Sequence, residues 1–93
     1  MLERAELPPE ARLVRTTREF SAGDVPAGLL SAHRMAEGVW GRLCVRAGSV
    51  VFVLEDPERS RSLEGGDVQV IEPGVPHRVE PRAGARFVVE FYR

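Results

Sequence analysis

Apolar and polar positions alternate in short stretches along this chain, and no window carries a 3.6-residue repeat, so the pattern predicts strands rather than helices. The clearest stretch is Ser49-Val50-Val51-Phe52-Val53-Leu54, the β-branched and aromatic run of a buried strand. Ala47-Gly48 before it marks a tight turn, which predicts a hairpin with the preceding strand, Val39 to Arg46. Leu29 to Met35 reads as a further strand, broken from Val39 near Gly38, and Leu13-Val14 opens an edge strand. Between them, Gly23, Asp24 and Pro26 make a loop of Phe20 to Ala27.

Downstream, Glu55 to Ser60 reads as a charged turn and Arg61 to Leu63 as a short strand before Gly65-Gly66. Val68, Val70 and Ile71 form a strand that stops at Pro73-Gly74, and His77 to Glu80 and Phe87 to Tyr92 supply the last two. About seven or eight short strands with frequent turns predict an all-β barrel or sandwich. Ninety-three residues are near the lower limit for a self-sufficient core, so residues 1–93 are expected to form one domain.

Charge narrows the partners. Thirteen basic against fourteen acidic residues leave a net charge of -1, with no global field to draw in nucleic acid or an anionic membrane. Every basic residue is Arg, which removes Schiff-base and P-loop lysine chemistry. Cys44 is alone and cannot form an internal disulfide, and the opening MLERAELPPE lacks the apolar stretch of a signal peptide, so a cytoplasmic location is expected. The longest apolar runs, such as Val50 to Leu54, are far shorter than the roughly 20 residues that span a bilayer.

The candidate chemistry centres on the two histidines. If Leu29 to Glu37 is extended, His33, Met35 and Glu37 share a face. His77 follows a turn stiffened by Pro73 and Pro76, which presents its imidazole rigidly. Here the chain resembles the cupin superfamily, because Gly66, Gly74 and His77 have the spacing of the second cupin motif. The motif's proline falls on Glu72, with Pro73 one place later, and its asparagine falls on Pro81. The first motif has two registers. Counted from His33 its glutamate is Glu37; counted back from Gly48, the glutamate falls on Gly41 and the histidines near Met35 and Glu37.

A closer resemblance runs the whole chain. Leu7-Pro8, Thr17, Phe20, Val25-Pro26, Leu29-Leu30, His33, Gly38-Val39-Trp40-Gly41, Val45, Gly48, Pro73, Pro76-His77-Arg78-Val79 and Val89-Glu90-Phe91-Tyr92 look like the small tellurite-resistance-protein-like (TehB-like) cupin domain. The resemblance implies a cupin-type double-stranded β-helix, a jelly-roll barrel, with both histidines facing a common pocket. Members of that family occur alone or ahead of a methyltransferase domain that uses S-adenosylmethionine. This chain ends at Arg93 without one, so tellurite methylation by it is not expected.

Imidazoles with one carboxylate and an open position are the pattern of a catalytic metal site, so His33, His77 and Glu37 are the candidate ligands for zinc, iron, nickel or manganese. The plainer reading makes both histidines hydrogen-bonded pocket residues and Glu37 a solvated turn carboxylate. Met35, Trp40 and Glu90 are candidate pocket residues. Trp40 reads first as core, and Glu90 as either a surface residue or a buried acid in need of an Arg. Cys44, on the parity of Trp40 and Arg42, reads as a small apolar group, and Arg34, Arg42 and Arg78 read as solvated. The functions in contention are a module binding a metal or small anion and contributing to oxyanion resistance, a metal-dependent oxygenase or isomerase, and a structural homodimer.

Overall fold

In the computed structural model, residues 5–30, 34–55 and 57–93 are described. Their strands are β1 (Leu13–Thr16), β2 (Phe20–Ser21), β3 (Trp40–Ala47), β4 (Ser49–Glu55), β5 (Glu58–Glu64), β6 (Val68–Ile71), β7 (His77–Pro81) and β8 (Arg86–Tyr92). A 3-10 turn at Ala27–Leu29 is the one helical element among the described residues. All pairings are antiparallel. One sheet runs β1-β8-β3-β6 with β2 also on β8, and the other runs β5-β4-β7.

The core lies between the sheets because each strand turns one parity inward. From β3 and β8 come Leu43, Val45, Phe87 and Val89, and from β4, β5 and β7 come Val50, Phe52, Leu63 and Val79, all in one buried cluster. Trp40, Arg42 and Cys44 have the opposite parity on β3 and point away from it. Met35 packs over Gly41, so close that a Cβ at position 41 would collide with its terminal methyl.

Three expectations change. The Ala47-Gly48 turn joins β3 to β4, but these strands belong to different sheets, so it is a corner and not a hairpin. Gly48 makes the corner at φ 63°, with its α-carbon against the backbone of Gly84 and Ala85, where only glycine fits. The hairpin is instead β4–β5, paired from Ser49↔Glu64 to Glu55↔Glu58, so the predicted charged turn is largely strand. Every other connection from β3 to β8 crosses between the sheets.

Second, no strand starts at Leu29. Leu29 N–H and Leu30 N–H bond back to the carbonyls of Pro26 and Ala27, closing the 3-10 turn, and Val39 N–H bonds to Ala36, closing another turn before β3. The alternation expected to put Met35 and Glu37 on one face is absent: Met35 is buried and Glu37 exposed.

Third, the sheets do not close into a barrel. No backbone ladder joins β5 to β6 among the described residues. Instead Arg61 on β5 reaches across and donates through Nη1 to the Val68 carbonyl at 3.0 Å. A guanidinium wedged between two strand edges substitutes for a ladder and leaves that side of the sandwich open.

Candidate ligand cavity

The open side leads into a cavity of 230 Å³ between the sheets. Its position follows from the register of β4 on β5. Phe52 is paired with Arg61 and Leu54 with Arg59, so the inward parity of β5, read back from buried Leu63, carries two arginines to the end of the sandwich. Arg59 is exposed and lines the cavity, whereas Arg61 is half-buried and is engaged with β6.

Phe52, Leu54, Ile71, Val75 and Ala5 supply the apolar wall, and Arg59, Gln69 and Glu72 its polar groups. Gln69 projects inward from β6 and is 2% exposed. Its Oε1 accepts from Arg61 Nη1 at 3.0 Å and its Nε2 donates to the Val70 carbonyl at 2.9 Å. Arg61 therefore bridges the strands and orients the amide that faces the cavity. Among the described residues neither Arg59 nor Arg61 forms an ion pair, whereas Arg18, Arg42, Arg78 and Arg86 each meet a carboxylate within 3.4 Å.

His77 stands behind this wall. It is 1% exposed, sits opposite Leu54 in the β4–β7 ladder, and stacks on Phe52 with ring centroids 5.5 Å apart. Its Nδ1 lies 3.0 Å from the Val75 carbonyl, which can only accept, so Nδ1 carries the proton and donates. The strand beginning at His77 and the Pro73–Pro76 turn before it thus fix the ring in position and tautomer.

The other sequence candidates lie elsewhere. His33 falls outside the described residues. Glu37 is exposed at the turn before Gly38, and Met35 lies in the core over Gly41. Trp40 is half-buried on the face of its sheet turned away from the cavity, outside the core cluster. Glu90 is on that same outer face, opposite Arg42 in the β3–β8 ladder. Among the described residues no three His, Cys, Asp or Glu side chains gather to hold a metal ion. Gly41 offers no side chain, and the Met35 methyl occupies the space that a ligand from position 41 would need. Taken alone, these residues supply one imidazole and do not fit a divalent ion.

The outer-face candidates have structural work. Glu90 Oε1 accepts from Arg42 Nε at 2.6 Å and from the Tyr92 hydroxyl at 2.9 Å. Burial raises the Glu90 pKa, but the bonds from Arg42 and Tyr92 and the Arg42 charge outweigh it and hold the carboxyl below its ordinary 4.5. Burial first, then the Glu90 charge, pushes the Cys44 thiol up from 9.0, which keeps it a neutral, poor nucleophile. Arg78 lies among Glu55, Glu80 and Glu58 at 3.4, 3.0 and 3.7 Å on the outer face of the other sheet. Arg34 donates to the Gly74 carbonyl at 3.4 Å from an exposed position.

The Glu90 pair has a testable sign. Because its folded pKa lies below the unfolded 4.5, the stabilisation is complete above that value and is lost as pH falls through the folded one. Glu90→Gln is expected to cost about 1 kcal/mol at pH 7 and to flatten part of the loss of stability below pH 4.5. Urea denaturation at neutral and acid pH measures both; an unchanged acid limb would show the pair to be unimportant.

Two antiparallel sheets crossed by successive connections, with a cavity between them, define a cupin-like all-β protein. The chain belongs to the TehB-like domain family, whose model matches residues 15–89. A protein from Escherichia coli K12 superimposes with a TM-score of 0.88 at 23% identity over 96% of each chain. TehB from Haemophilus influenzae gives 0.82 at 21% identity over 90% of this chain and 32% of its own, so the chain spans about a third of that protein. A cupin-2 domain protein from Shewanella frigidimarina gives 0.56 at 20% identity over 92% and 72%. At these identities the likeness is one of fold. No curated protein sequence matches the chain. Among the described residues no helix is long and apolar enough to cross a membrane.

Proposed function

We propose that this domain is a binding module that takes a small anion into the cavity between its sheets. The observation that carries this reading is the convergence of Arg59 and the Arg61-braced Gln69 on a largely apolar cavity whose other polar lining group among the described residues is Glu72, with neither guanidinium ion-paired among the described residues. Guanidinium forks match the geometry of carboxylates and oxyanions, and a partly enclosed apolar surround strengthens such bonds relative to water. Among the described residues Arg59 and Glu72 are the charged groups of the lining, and Arg61 behind Gln69 adds a second positive charge close by. Oxyanions of the tellurite type fall within the ligand class, as does any small carboxylate.

Thermal shift with phosphate, sulfate, formate and hexanoate, each titrated against chloride at constant ionic strength, tests the reading. At least one anion is expected to raise the midpoint, and Arg59→Gln to weaken its binding about ten- to a hundred-fold. Equal shifts in wild type and Arg59→Gln would remove the cavity from consideration. A shift abolished by EDTA and restored by zinc would instead assign binding to a metal held with the help of His77 and His33.

A further inference from the structure

Resting on that reading, the cavity walls specify the ligand further: we infer that the site takes an organic monoanion, a small carboxylate with an apolar body, rather than a bare inorganic oxyanion. A volume of 230 Å³ is many times the roughly 10–15 Å³ that a single water-sized group requires. A bare oxyanion held at Arg59 would fill a fraction of this and leave Phe52, Leu54, Ile71 and Val75 facing water. A carboxylate at the same position would place its alkyl or aromatic body along those side chains and remove the apolar wall from solvent.

Charge sets the number of carboxylates. Among the described residues the polar groups of the lining are Arg59, Gln69 and Glu72, with Arg61 behind Gln69, and Arg59 is the one cation of that lining, which matches one carboxylate. A second at the far end of the ligand would be placed among apolar side chains or brought against Glu72, with no further cation among the described lining residues to compensate its desolvation. His77 stacks on Phe52 and is not among the described residues that line this space, so it acts here as a brace of the wall.

Isothermal titration of the full chain with acetate, butyrate, hexanoate, adipate and inorganic phosphate tests this. The expected result is affinity rising about four-fold with each methylene from acetate to hexanoate, with adipate and phosphate weaker than hexanoate. Leu54→Ser, at a half-buried wall position, is expected to flatten the chain-length dependence while circular dichroism reports an intact fold. Phosphate binding as tightly as hexanoate, with Arg59→Gln abolishing it, would overturn the organic ligand but leave the anion site standing. Binding of none of the five would overturn both.

Discussion

Replacing Gly48 with Ala is expected to cost about 2–5 kcal/mol and to lower the thermal midpoint by about 10 °C or more. The position has φ 63°, a left-handed conformation that costs any residue with a β-carbon. A Cβ there would also lie 2.7 Å from the Ala85 nitrogen and from the Gly84 carbonyl carbon and oxygen. Backbone atoms cannot rotate aside as a side chain can, so the relief must come from moving the β7–β8 connection, which itself turns at Gly84 with φ 79°. Because Gly48 is the corner where the chain leaves one sheet for the other, the strain falls on the join between sheets. Gly28, open to solvent with nothing within 4 Å of a Cβ, is the control: Ala there is expected to change stability little. Equal midpoints for the two variants would contradict the close approach.

The second large effect is at His77. His77→Ala is expected to destabilise the domain by about 2–4 kcal/mol, through the void left against Phe52 and through the Val75 carbonyl that loses its Nδ1 donor. Phe52 forms part of the cavity wall, so the same substitution should loosen the site even without contact between His77 and the ligand. Loss of binding in this variant would therefore say nothing about ligation until denaturant melts had separated folding from function. His77→Phe keeps the stack and drops the hydrogen bond, and is expected to recover part of the lost stability. Full wild-type stability in His77→Ala would contradict the bracing role.

These effects bear on what the sequence alone could yield. The apolar alternation of Val50, Phe52 and Leu54 and of Phe87 and Val89 made β4 and β8 legible, because period two is a direct property of the chain. A glycine turn, by contrast, looks the same whether it closes a hairpin or turns a corner between sheets, and long-range pairing decides the matter at Gly48. Leu29 to Met35 misled because its apolar residues serve a 3-10 turn and a core contact rather than one pleated face. Arg59 of the cavity and Arg61 behind its wall were hidden by their charge. Arg59 reads as turn and Arg61 as the start of a short strand until the strand is counted back in twos from Leu63, which puts both on the face of Phe52 and Leu54. The same counting from Leu43 sends Trp40, Arg42 and Cys44 outward, and the ladder then takes Glu90 with them.

The cupin resemblance fared according to the same distinction. Its second motif concerns a local turn, and His77 is indeed presented, buried, by the turn that its glycine and prolines make. The first motif depends on which residues of a longer segment face inward. There the register counted from Gly48 puts the motif's carboxylate on Gly41, where Met35 fills the space.

Titration of ¹⁵N-labelled protein with hexanoate, followed by amide chemical shifts, locates the anion on the fold. Saturable shifts are expected to concentrate on Phe52, Leu54, Arg59, Gln69, Ile71 and Val75, with the outer-face residues Arg42, Arg78 and Glu90 unmoved. Shifts concentrated on that outer face would contradict binding in the cavity, as would saturable shifts retained at full strength in Arg59→Gln.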